Sequence, residues 1–135
     1  MLWEYHRGLI INPTITIDGE FIYFVENPEL IDGGGAVADP ALWKDVTLVA
    51  INSQTGERVW EKPVTGEPFA RGVSSYYLLA HPERIVLVAS NKKYFIYAFD
   101  PKNGELVWKD DRKWFDDHHS GHIQRPVIVL SLIHI

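Results

Sequence analysis

Two stretches of this chain are copies of each other. Residues 48–60 (LVAINSQTGERVW) lie over residues 96–108 (IYAFDPKNGELVW) at a constant offset of 48, and five of the thirteen positions are identical: Ala50/Ala98, Gly56/Gly104, Glu57/Glu105, Val59/Val107 and Trp60/Trp108. The differences are mostly like for like, such as Ile51 for Phe99 and Asn52 for Asp100. Each copy reads as a strand, a tight turn and a second strand. In the first, residues 48–51 form the strand, 52–56 the turn, and 57–60 begin the next strand. An Asn or Asp at the start of the turn can accept hydrogen bonds from backbone N–H groups two residues on, and Gly takes a positive φ that a side chain resists. Such a turn closes a hairpin. The Trp after it brings on the order of 200 Å² of ring surface and an N–H that seeks a partner, which suits it to fill space between neighbouring sheets.

An earlier strand pair precedes each copy. Residues 17–25 (IDGEFIYFV) lie over residues 80–88 (AHPERIVLV) at an offset of 63, so the first unit carries fifteen extra residues between its second and third strands. They fall within residues 27–45, which contain Pro28, Gly33, Gly34, Gly35, Pro40 and Trp43, a density of Gly and Pro that marks a loop inserted into a hairpin. The ends follow the same pattern. Leu2-Trp3 matches the Val-Trp that closes each later copy, and Gln124-Arg125-Pro126-Val127-Ile128 resembles Ile11-Asn12-Pro13-Thr14-Ile15. A β-patterned repeat of this period is the sequence signature of β-propeller blades.

The expected fold class is therefore all-β: a partial β-propeller of four-stranded antiparallel blades, two complete and two partial. Residues 1–8 end a preceding blade. Residues 9–66 form a blade with its insertion at 27–45, residues 67–115 form a second, and residues 116–135 hold an inter-blade loop and the first strand of another. A ring needs ~4–8 blades to close, so the remaining blades of a parent propeller are the first expected partners.

Composition narrows the function. The formal net charge is −5 with Lys and Arg dispersed, which gives no footprint for nucleic acid. The absence of Cys removes disulfides, thiolate metal sites and cysteine nucleophiles. No segment reads as a signal peptide or as a membrane span. No Ser sits in a nucleophile elbow, so a hydrolase reading has no support.

The turns Asn52-Ser-Gln-Thr-Gly-Glu-Arg-Val-Trp60 and Asp100-Pro-Lys-Asn-Gly-Glu-Leu-Val-Trp108 resemble the pyrroloquinoline-quinone (PQQ) type of propeller repeat, of the quinoprotein alcohol dehydrogenase-like superfamily. In that family, tryptophan-docking blades read as a strand ending in Ala-Leu/Phe-Asp, a turn of x-x-Thr-Gly, and a strand reaching Trp. The resemblance covers residues 14–108 as two blades, with partial blades at both ends. Asn103 replaces the usual Thr. The resemblance implies one of two functions. Some relatives are alcohol or sugar dehydrogenases with PQQ and calcium at the centre of the ring; others use the same repeat as a cofactor-free protein-binding scaffold, and for this chain the expected partner beyond the ring is a protein or a small-molecule ligand. No cofactor, metal ligand or catalytic residue is assignable from the residues here, and the adjacent-cysteine pair of many dehydrogenases is missing, so a binding scaffold is the expected function. The resemblance also implies a periplasmic or other extracytoplasmic location.

The candidate ligand loop is His118, His119, His122, Gln124 and Arg125, within Asp116-Asp-His-His-Ser-Gly-His-Ile-Gln-Arg125 between two blades. Imidazoles and carboxylates there could ligate a metal or handle protons. The spacing matches no metal motif, which favours a solvated, hydrogen-bonded loop. Asp110, Asp111, Asp116 and Asp117 follow no EF-hand spacing and are expected in a charged surface turn. Gly33-Gly34-Gly35 lacks the Lys-Ser/Thr of a phosphate loop, and Trp43 and Trp114 are expected to pack between blades rather than to stack on a ligand.

Overall fold

The computed structural model describes residues 2–30, 43–66, 75–90 and 93–113. Among the described residues, nine strands build two antiparallel sheets. The first contains β1 (Leu9–Ile10), β2 (Thr16–Asp18), β3 (Phe21–Asn27), β4 (Thr47–Asn52) and β5 (Arg58–Pro63). The second contains β6 (Ser75–His81), β7 (Arg84–Ser90), β8 (Lys93–Phe99) and β9 (Leu106–Lys113), paired in sequence order. The fold class is all-β, built of four-stranded antiparallel sheets as in consecutive propeller blades. No helix among the described residues is long and apolar enough to cross a membrane.

The first sheet has four strand positions although five strands occupy them. β1 and β2 share one edge of β3, Leu9 and Ile10 pairing with Asn27 and Glu26, and Thr16 to Asp18 pairing with Tyr23 to Phe21. Between them residues 12–14 make a single 3-10 turn with Pro13 in it. Proline has no N–H to give to a ladder, so the strand leaves the edge where Pro13 stands. Thr14 fills the gap: its hydroxyl donates to the Ile11 carbonyl at 2.6 Å and accepts from the Val25 N–H at 2.8 Å. The backbone groups opposite the break are thereby satisfied.

Registers in the two sheets coincide at the offsets read from the sequence. Asp18 faces Phe21 as His81 faces Arg84, and Ala50 faces Trp60 as Ala98 faces Trp108. Both turns are built alike. The Asn52 carboxamide accepts from the Gln54 and Thr55 N–H groups at 2.8 and 3.0 Å, and the Asp100 carboxylate accepts from the Lys102 N–H at 2.8 Å. Gly56 and Gly104 sit at φ of 72° and 73°, a conformation that L side chains resist.

A register shift accompanies each turn, between Ala50 and Ile51 and again between Ala98 and Phe99. An extra residue in one strand breaks the two-residue alternation and re-aims the side chains beyond it. In β5, Arg58 pairs with Ile51 and Trp60 with Ala50, and these partners belong to opposite faces of the sheet. Arg58 therefore faces residues 2–7 while Trp60 faces the second sheet.

Alternation along the central strands makes two cores. Tyr23, Val25, Leu48 and Ala50 face the second sheet, where Tyr76, Leu78, Ile85, Leu87, Ala89, Phe95 and Phe99 meet them. Phe24, Val49 and Ile51 face the other way, under Trp3, Tyr5, Ile10 and Ile22. Each fully buried large side chain contributes about 1.5–3 kcal/mol relative to exposure. The first sheet is thus covered on both faces, and Trp60 and Trp3 are the rings that close its two seams.

Candidate functional site

The two seams share one docking device. The Trp60 indole lies over Gly104 and its Nε1–H donates to the Pro101 carbonyl at 3.0 Å; the Trp3 indole lies over Gly56 and its Nε1–H donates to the Ser53 carbonyl at 2.9 Å. A Cβ built on Gly104 would stand 2.5 Å from the Trp60 ring, and one on Gly56 would lie closer still to the Trp3 ring. Glycine is required there twice over, for its positive φ and for the close approach of the ring.

At the first seam a polar cluster accompanies the Trp. Glu26, near the end of the largely apolar β3, is 1% exposed. Its Oε2 accepts from the Tyr5 hydroxyl at 2.8 Å and its Oε1 from Arg58 Nη2 at 3.1 Å. The same Nη2 donates to the Tyr5 oxygen, and Nη1 pairs with Glu61, three residues along β5. The Tyr5 ring meets Phe24 edge to face at 5.0 Å and lies under the Arg58 guanidinium at 5.8 Å. Arg58 Nε–H is buried and has no hydrogen-bond partner among the described residues.

Burial, followed by the hydrogen bond to the Glu26 carboxylate, pushes the Tyr5 phenol up to about 12. It therefore stays protonated at neutral pH and acts as a donor, not as a base. The Glu26 oxygens are engaged by Tyr5 and Arg58. The carboxylate, the phenol and the two Arg58 Nη groups bond to one another and to Glu61, so the cluster's chemistry is that of a staple between segments.

An open cleft of about 640 Å³ adjoins this cluster, bordered by Tyr5, His6, Arg7, Gly56, Glu57 and Arg58. A smaller one of about 340 Å³ sits in the same place on the second seam, bordered by Lys62, Gly104, Glu105 and Leu106. Because Gly56/Gly104 and Glu57/Glu105 are repeat equivalents, these clefts mark where each seam opens to solvent. No three His, Cys, Asp or Glu side chains among the described residues converge as a metal site would need.

The candidate loop of His118, His119, His122, Gln124 and Arg125 lies outside the described residues, as do Gly33 to Gly35, Trp114, Asp116 and Asp117. Asp110 and Asp111 are not in a turn. They belong to β9, opposite Ile96 and Phe95 of β8. The strand continues past Trp108 because ladder pairing with β8 outweighs the low strand preference of two Asp residues. Trp43 packs as expected: its ring stacks on Tyr76 of the second sheet at 6.1 Å, and the Tyr76 hydroxyl donates to the Trp43 carbonyl at 2.5 Å. The cluster of Tyr5, Glu26 and Arg58 escaped sequence reasoning. Its signal lay in the repeat itself, where Glu26 and Arg58 stand opposite the apolar Ala89 and Leu106 of the second unit.

No protein-family model matches the chain. It is 27% identical over 119 residues to the quinoprotein alcohol dehydrogenase PedH of Pseudomonas putida, an alignment that takes in 79% of this chain and 17% of the relative. The chain thus spans less than a fifth of that relative's length. Distant similarity to a quinoprotein and paired four-stranded antiparallel sheets agree with a fragment of a PQQ-type propeller.

Proposed function

We propose that this chain supplies two consecutive blades of a PQQ-type β-propeller and works as a binding scaffold, with the remaining blades of the ring as its immediate partners. The observation that carries this reading is the repeated dock: each Trp indole closes on the next sheet's Asx-Gly turn with the same hydrogen bond. Near it Tyr5, Glu26 and the Arg58 Nη groups bond to one another, which suits rigid support of a surface built from the loops. In this reading the candidate loop of His118, His119, His122, Gln124 and Arg125 offers the ligand surface, and the location is extracytoplasmic.

A second reading is favoured by the similarity to PedH. Here the whole protein is a quinoprotein that oxidises an alcohol or sugar, PQQ supplies the redox chemistry when bound, and the ligands for PQQ and calcium come from elsewhere than the described residues. Calorimetric titration of the full-length protein with PQQ in calcium buffer, followed by dye-linked alcohol and sugar oxidation, separates the two. The scaffold reading expects no saturable heat and no turnover. Saturable binding with turnover would establish the dehydrogenase.

A further inference from the structure

Repeated blades raise a problem of identity. Residues 2–7, β5 and β9 all present a Trp, and both sheets offer the same Gly turn to receive it, so the dock by itself does not say which strand belongs beside which sheet. The two seams differ two residues beyond the Trp. Tyr5 follows Trp3, Lys62 follows Trp60 and Asp110 follows Trp108. The receiving sheets differ at the matching positions: the first offers Glu26, Arg58 and Phe24, the second Ala89, Leu106 and Leu87.

We infer that the buried pair of Glu26 and Arg58 is an address, which selects residues 2–7 as the neighbour of the first sheet and rejects the chain's other Trp-bearing strands. Glu26 is 1% and Arg58 18% exposed, and Arg58 pairs with both Glu26 and the half-exposed Glu61. Tyr5 adds a ring against Phe24 and a hydrogen-bond donor, and brings no charge. An Asp in its place would set a second anion against the buried carboxylate, a Lys would set a second cation against Arg58, and either would remove the ring. Unbalanced charge in a desolvated site is strongly unfavourable, and discrimination between partners is often built this way. The second seam has the opposite character. Ala89 and Leu106 stand at the equivalent positions, and Lys62 lays its stem close to Gly104, where an added Cβ would meet its Cγ at 2.8 Å, beside an open cleft that Lys62 and Leu106 both line. Tyr5 is thus a positioning and specificity residue for blade order.

The test uses the full chain with Tyr5→Phe, Tyr5→Lys and Tyr5→Asp, each in the native background and with Glu26→Ala and Arg58→Leu, which give the first seam the residues of the second. Hydrogen exchange at the two indole N–H groups, followed by NMR, reads the seams separately. Trp3 Nε1–H, bonded to the Ser53 carbonyl, reports the first seam; Trp60 Nε1–H, bonded to the Pro101 carbonyl, reports that the rest of the chain is folded. In the native background Lys and Asp at position 5 should speed Trp3 exchange on the order of tenfold or more with Trp60 unchanged, and Phe should do less. In the substituted background Lys should be tolerated as well as Tyr. Protected Trp3 with Lys or Asp in the native background, or equal penalties in both backgrounds, would overturn the inference and leave Tyr5 a packing residue. If the double substitution unfolds the chain, exposing Trp60, then Glu26→Gln takes its place. Tyr5→Asp must then be less damaging in the Glu26→Gln background than beside the native carboxylate, and equal damage overturns the address.

Discussion

The two faces of the first sheet are closed by the same ring on the same turn, yet they are held by different physics. Toward the second sheet, Trp60 joins a continuous apolar core to which Tyr23, Leu48, Tyr76 and Leu87 contribute. Toward residues 2–7, the apolar cluster is small, and a buried carboxylate, a guanidinium and a phenol complete it. Apolar burial is non-directional and accepts any neighbour of suitable shape. Buried polar groups are costly unless every partner is in place, so they hold one arrangement and penalise others. The repeat thus carries a general adhesive at one seam and a selective one at the other.

The largest expected effect lies at the apolar seam. Trp60→Ala removes a ring packed against Gly104 and the main core, and should cost about 3–5 kcal/mol, the range for large-to-small aromatic truncations in cores. A urea midpoint close to that of the native chain would mean that the core does not depend on this ring.

At the polar seam, Arg58→Leu alone leaves Glu26 buried beside Tyr5 without its cation, and should cost about 3 kcal/mol. Glu26→Ala together with Arg58→Leu should be milder than Arg58→Leu, since no charge is stranded. Chemical denaturation of the single and double variants checks the order, and the reverse order would show that the pair contributes as an attraction rather than as a selective lock.

A smaller contrast appears at high pH. Tyr5 has its folded pKa raised from 10.0 to about 12, so its contribution to stability is complete below pH 10 and is lost as pH climbs from 10 toward 12. Burial also raises Tyr23, Tyr76 and Tyr97, so alkaline weakening belongs to both seams. Tyr5→Phe should flatten the fall in denaturation midpoint across this window without abolishing it. An unchanged slope would place the phenol in water.

The smallest effect is expected at Trp108, the repeat equivalent of Trp60, which is 47% exposed. Trp108→Ala in this chain should change stability by about 0.5 kcal/mol or less, as surface substitutions do. The same substitution in a longer protein that supplies a following sheet should approach the cost of Trp60→Ala. The pair of measurements shows whether the dock needs a receiving turn to contribute.

Much of the fold was legible in the residues. The 48-residue repeat placed both turns, Gly56 and Gly104 announced the positive φ, and Pro and Gly between residues 27 and 45 marked the long connection between β3 and β4. These features are local, and local backbone chemistry decides them. The break at Pro13 was less visible. Proline argues against a ladder position, but the rescue of the Val25 N–H by the Thr14 hydroxyl exists only once β3 lies alongside. The candidate site was hardest to read. Tyr5, Glu26 and Arg58 are separated by 21 and 32 residues, and no spacing rule connects them.

By itself the sequence determined an all-β chain of repeated strand-turn-strand units, where each turn begins with Asn or Asp, ends with Gly and is followed by Trp. Alternation and turn chemistry act within a few residues, so they can be read along one dimension. Tertiary structure decided where the side chains go. The bulge after each turn sends Arg58 and Trp60, two residues apart, to opposite faces, although simple alternation puts them on one. That choice depends on the register against β4, which is set by which cores can be buried on each side of the sheet, and it is what brings Arg58 to Glu26 and Trp60 to Gly104.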